Sequence, residues 1–234
     1  MLDYLRVHAY PLGTFLFFVS WIIIYHYRSD LRQKMMFASV FGGVSSLITS
    51  CLFLSDYWSP PSFFSDKPAF LPEDFFWGFA LTGLIATVYD FIFKKRNVFG
   101  EVKQKKMFYL LFLLCPLGII VLMNIYKLNS MVVCIIILFL IGILIMLLRR
   151  DLIKPALFSI LFIFFYATAC YYILFNLFAP DFWKNYWQLA GTKMGLTVFG
   201  NIPVLEILFY CGFGAAGSVM FEFATGAKKI NLDS

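Results

Sequence analysis

Three carboxylic acids stand at the start of long apolar runs. Leu71-Pro72-Glu73-Asp74-Phe75-Phe76-Trp77 opens one run, and Asn201-Ile202-Pro203-Val204-Leu205-Glu206-Ile207-Leu208-Phe209 opens another. A proline suits the beginning of a helix, and an acid just after it complements the positive end of the helix dipole. The same placement has a chemical use. Apolar surroundings disfavour the charged form of a carboxyl group, and a neutral acid so placed can donate a proton that a neighbouring carboxylate accepts. Rings follow in both runs, Phe76 and Trp77 in the first and Phe209 in the second, and aromatic faces stabilise positive charge. Capping and proton transfer are both open to Glu73, Asp74 and Glu206.

Asp90 and Glu222 lie further along the same two runs. Sixteen residues of helix separate each from Asp74 or Glu206, which is about 24 Å of depth and roughly 160° of rotation. They are secondary acidic candidates, expected as interfacial partners of basic residues such as Lys94 and Lys228. Other chemistry finds little footing. The five cysteines, Cys51, Cys115, Cys134, Cys170 and Cys211, stand singly in apolar runs without metal-ligand spacing, so buried free thiols are expected. His8 and His26 have no cluster around them, and no metal site is expected. Gly212-x-Gly214-x-x-Gly217 fits a dinucleotide fingerprint, but that motif needs a strand leading into a helix start. Here it sits inside an apolar run, where small residues let helix backbones approach, so no cofactor is expected.

The elements that position these groups follow from composition. The chain is 62% hydrophobic and 14% charged, against about 25% charged in soluble domains, which makes it a membrane protein. Runs of spanning length fall at roughly 11–27, 35–54, 74–93, 107–126, 130–148, 155–178 and 203–223. Pro11 is a kink point in the first, and no small-residue cleavage site follows it, so this run is expected to stay as a span. Along an alternating path, 14 Lys and Arg fall on one side and five on the other. The positive-inside rule then puts the N-terminus outside and the C-terminus in the cytoplasm, with the cell membrane as the expected location. The net charge of +6 is accounted for by topology, so no nucleic acid is expected as a partner. Tyr57, Trp58, Trp183, Tyr186 and Trp187 fall in the two larger outer loops, which are expected to lie at the headgroup level.

Spans three and seven align without gaps from Asp74 and Glu206. Asp90 then meets Glu222, and Trp77 meets Phe209. The expected fold is an all-α integral membrane protein in which two parallel three-helix repeats, residues 1–106 and 130–234, are joined by a connector at 107–129. Functional groups belong at the interface of such repeats, with the outer acids facing each other across it.

On this frame the two proline-acid-aromatic motifs resemble the membrane-integral lycopene cyclase domain in its fused form. The second motif has Leu205 where that family has its first acid, and the first lacks the residue between proline and acid pair. The resemblance implies a cofactor-independent, redox-neutral isomerase acting on a long polyene. An acid protonates a terminal alkene, the neighbouring alkene closes a ring on the cation, and a base removes a ring proton. It assigns Glu73, Asp74 and Glu206 to proton transfer, with Trp77, Phe209 and Phe76 beside the substrate. The expected partners are a lipophilic polyene or isoprenoid and the bilayer, and a second copy or another membrane protein is admitted. The alternatives are a non-catalytic membrane subunit of the same fold and a carotenoid hydratase. A retinal-binding receptor would need a lysine inside a late span, and a transporter would need a polar path at mid-membrane. Neither feature is present in the sequence.

Overall fold

Long runs of Leu, Ile and Phe leave the backbone no partner in lipid except itself, which dictates helix. The computed structural model describes residues 2–63, 70–99 and 105–232. About 75% of the chain is helical. A short α1 (Leu2–Val7) leads into α2 (Ala9–Tyr27), α3 (Arg32–Asp56) and α4 (Pro72–Ile92). Then come α5 (Lys105–Asn124), α6 (Ser130–Leu148) and α7 (Ile153–Tyr172), which runs on into a π-helical turn, Ile173–Phe178. A short α8 (Phe182–Tyr186) precedes α9 (Val204–Gly217) and α10 (Met220–Thr225). Seven of these stretches are long and apolar enough to cross a bilayer. Pro11 sits in the first turn of α2, just after the break at His8 (φ −99°, ψ 32°) that separates α1 from α2; with no N–H to give the Val7 carbonyl, it favours the interruption there.

Two small ribbons depart from the all-helical expectation. β1 (Lys95–Val98) pairs antiparallel with β4 (Lys228–Asn231), and β2 (Thr197–Val198) with β3 (Ile202–Pro203). The first ribbon closes one end of the bundle. The other end is closed by the loops after α3 and α7, where Trp58 bridges to Trp187, Tyr186 C=O accepts from Ser59 N–H at 2.9 Å, and Tyr57 C=O accepts from Gln188 N–H at 2.9 Å. We refer to these as the ribbon end and the loop end.

The loop aromatics pack inward. Tyr57, Trp58, Trp183 and Trp187 are buried, with Trp58 stacked on Trp183 at 6.0 Å between centroids. They pack against one another and the bundle rather than standing exposed, because burying rings together removes more apolar surface than leaving them open. Residues 64–69 of the first loop, including Lys67, are outside the described residues. Cys51 also departs from expectation, being exposed on the bundle's flank, while Cys134, Cys170 and Cys211 are buried thiols.

Close packing rests on the small residues, as expected. A Cβ on Gly214 would come within 2.8 Å of the Ile160 Cα on α7, and one on Gly212 within 2.9 Å of the Leu138 Cβ on α6. Gly212 and Gly214 of the dinucleotide-like motif are therefore on the contact face of α9, while a Cβ on Gly217 would meet nothing closer than 3.8 Å. Between α3 and α4, Gly42 and Gly78 bring the backbones together, with a Gly78 Cβ 2.6 Å from the Gly42 carbonyl oxygen.

Candidate functional site

At the loop end, α4 and α9 begin side by side with α2, α3, α6 and α7 around them. Their first turns carry Asp74 and Glu206, both buried, and both carboxyl groups line one cavity of about 20 Å³, room for a single water. Trp77 and Phe209 line it too, their rings stacked at 6.0 Å with 11° between planes. Four of the residues singled out from sequence thus meet at one place.

Hydroxyl groups hold the two acids. The Tyr10 phenol donates to Asp74 Oδ1, and Ser50 stands beside the same carboxyl group while its Oγ accepts from Leu71 N–H at 2.8 Å. Glu206 takes two phenols, Tyr57 on Oε1 and Tyr171 on Oε2, each at 2.8 Å. Tyr210 donates in turn to the Tyr171 hydroxyl at 2.9 Å and accepts from Trp77 Nε1–H at 3.1 Å. Burial, and after it the Glu206 charge, holds the Tyr57 phenol well above the ordinary tyrosine value, so its proton stays on. Neither Asp74 nor Glu206 has an ion pair among the described residues.

This small cavity adjoins a far larger one. Ser46, Thr49 and Phe209 line both, and the second, about 400 Å³, runs between α3, α5, α6 and α9 to Phe221 and Phe223 on α10. Its walls are almost wholly hydrocarbon, with α5 forming one side through Phe108, Leu111, Cys115, Pro116 and Ile119. A slender apolar chain fits such a space with one end against the acids.

Two of the residues expected at the site are placed elsewhere. Glu73 points away from the cavity and accepts from Ser62 Oγ at 2.9 Å and from Phe63 N–H at 2.7 Å, tying the chain after α3 to the start of α4. Phe76 is 50% exposed on the outside of the bundle. The reason is helical phase: Asp74 and Trp77 share the inward face of α4, and Glu73 and Phe76 flank it.

Asp90 and Glu222 do partner basic residues, but these are Lys34 and Lys229 rather than Lys94 and Lys228. Both are fully buried near the ribbon end in a closed ring with Lys34 and Lys229. Lys34 Nζ is 2.7 Å from Asp90 Oδ2 and also bonds Glu222, while Lys229 Nζ is 2.6 Å from Asp90 Oδ1 and 2.5 Å from Glu222 Oε1. Two positive and two negative charges cancel, which is what permits them inside. Burial first, then the neighbouring Lys34 charge, holds the Lys229 ammonium below the ordinary lysine value. Around the ring, Arg28 grips Asp30 and the Asp90 carbonyl, while Arg149 grips Asp151 and the Glu222 carbonyl.

Sequence reasoning missed Tyr10, Tyr57, Tyr171 and Tyr210. Depth was the available signal, because Tyr10 begins α2, Tyr171 ends α7 and Tyr57 follows α3, all at the end where α4 and α9 start. Lys34 was counted only toward topology, and Lys229 with the tail.

Seven helices long and apolar enough to cross a bilayer define the class: this is an all-α membrane protein. No protein-family model, curated protein or solved structure matches the chain.

Proposed function

We propose that the protein is a carotenoid cyclase of the lycopene-cyclase type, closing a ring at one end of a polyene by proton transfer within the membrane. One observation carries this reading: Asp74 and Glu206, on different helices, line a water-sized cavity that adjoins a long hydrocarbon one. Asp74, Glu206, Trp77 and Phe209 are the groups at the reacting end. Glu73 is a positioning residue at the start of α4. The substrate is a lipophilic polyene, and the chemistry calls for neither metal nor redox cofactor.

The fold in this reading is a duplicated three-helix unit, residues 1–106 and 130–234, around a connector at 107–129. The matched grips of Arg28 and Arg149 support it, since each joins the turn between a unit's first two helices to the acid of its third. So does the ribbon: aligning α4 on α9 places Asn97 on Lys229, and these two residues are paired in β1–β4. The basic residues crowd the ribbon end, which therefore faces the cytoplasm of a cell membrane.

Expression in bacteria that accumulate lycopene tests the activity, with pigments resolved by chromatography. A ringed product supports the reading; unchanged lycopene, with the protein shown to be in the membrane, overturns it in favour of a non-catalytic relative, and a hydrated product in favour of a hydratase.

Gly217 tests the binding mode. It lines the large cavity, and a Cβ there would meet only side-chain methyl and ring carbons, at 3.8 Å or more. Gly217→Leu therefore inserts a side chain without displacing backbone. Displacing two polyene carbons at about 0.8 kcal/mol each lowers ringed product roughly tenfold at limiting lycopene, with normal protein level. Undiminished product would show that the polyene lies elsewhere.

A further inference from the structure

We propose that the two acids have fixed and different roles: Asp74 holds the proton and donates it, and Glu206 rests as a carboxylate and accepts it. The assignment rests on the cyclase reading for its chemistry, whereas the resting protonation is a property of the protein alone.

Two buried carboxyl groups lining one water-sized cavity, with no cation beside them among the described residues, hold one proton between them. Where it sits is decided by the phenols. Trp77 Nε1–H can only donate, and it occupies the Tyr210 oxygen at 3.1 Å. The Tyr210 proton goes to the Tyr171 oxygen at 2.9 Å, and the Tyr171 proton then has Glu206 Oε2 as its acceptor at 2.8 Å. Tyr57 sends its proton to Oε1. Both oxygens of Glu206 are acceptors, and two phenol donors stabilise an ionised carboxylate that has no counter-ion. Asp74 has one phenol, Tyr10, on Oδ1, and beside it the Ser50 hydroxyl, which no neighbouring donor forces to donate and whose oxygen can accept the carboxyl's own proton, so Asp74 keeps the proton.

The roles close a balanced cycle. Asp74 gives its proton to the inner carbon of the polyene's terminal double bond, which leaves a tertiary cation at the end carbon, and the neighbouring alkene's π pair forms the ring bond to it. Glu206 takes a proton from the ring as the new double bond forms, so substrate and product have the same composition. The proton returns to Asp74 through the cavity that both acids line. Tyr57 and Tyr171 are positioning residues, which act through Glu206.

Infrared difference spectra of the purified protein, wild type minus variant, test the assignment. Asp74→Asn is expected to remove a protonated-carboxyl band, and Glu206→Gln to leave that band and remove carboxylate intensity. Asp74→Glu controls for folding and is expected to retain the band at a shifted frequency. Loss of the band in Glu206→Gln with retention in Asp74→Asn overturns the assignment, as does a wild type without it. A band that follows Asp74 in a protein that leaves lycopene unchanged sinks the cyclase reading and leaves the protonation assignment standing. Ringed product together with a band that follows Glu206 does the reverse.

Discussion

Ringed product is expected to fall by on the order of 10²–10⁴-fold when Asp74 and Glu206 are replaced together by Asn and Gln, the range for removal of general acid–base catalysis. Each amide nearly matches the acid's shape: at position 74 the carbonyl oxygen still accepts from Tyr10, and at position 206 it accepts from one of Tyr57 and Tyr171 while the NH2 group donates to the other phenol oxygen. Neither can give or take a proton. The fold should survive, because both replacements remove the need to accommodate a buried acid. The measurement is the pigment profile of lycopene-accumulating cells, normalised to the protein found in the membrane. Full activity in the double variant would end the proton-transfer reading of this cavity. Glu73→Gln makes the informative comparison: Glu73 bonds Ser62 and Phe63 and lies outside the cavity lining, so its loss should cost product far less.

The largest effect on stability is expected at the opposite end. Lys34→Met leaves Asp90 and Glu222 buried with Lys229 as the remaining ammonium of the ring. Removing one partner from a buried ion cluster costs about 3–5 kcal/mol, because the uncompensated charge stays behind. That is a large part of the roughly 5–15 kcal/mol by which a folded chain is stable. In detergent the melting midpoint, followed by tryptophan fluorescence, should fall by roughly 6–20 °C for a chain of this size. Adding Glu222→Gln restores neutrality, with Lys229 and Asp90 still paired at 2.6 Å, and should recover much of the loss. A single variant as stable as the wild type would show that the ring is not a closed electrostatic unit. Lys34 belongs to α3, Asp90 to α4, Glu222 to α10 and Lys229 to β4, so the ring also fixes the ribbon end against which the long cavity closes.

Much was legible before any coordinates. Seven helices follow from apolar length, since a backbone in hydrocarbon has no other way to satisfy its polar groups, and the observed spans begin and end within a few residues of the expected ones. Gly212 and Gly214 of α9 were legible as a packing face because their run offered no strand for a nucleotide fold. The likeness of the third and seventh spans brought Asp74, Glu206, Trp77 and Phe209 forward together, and these four line one cavity.

Other features were decided by tertiary structure. Neighbouring acids differ in fate by helical phase, which is why Asp74 faces inward while Glu73 ties a loop; neighbour identity, set by packing, lies beyond one helix's own periodicity. The ring of Lys34, Asp90, Lys229 and Glu222 joins residues far apart in the chain, and charges at span ends look the same whether they face water or one another. The phenols around Glu206 come from α7 and from the loop after α3, and no local pattern marks a tyrosine as a donor to a distant acid. Composition therefore determined that this chain lives in a membrane and where it crosses. Which polar groups meet inside was decided by how the helices pack, because in lipid a polar side chain must find its partner within the protein.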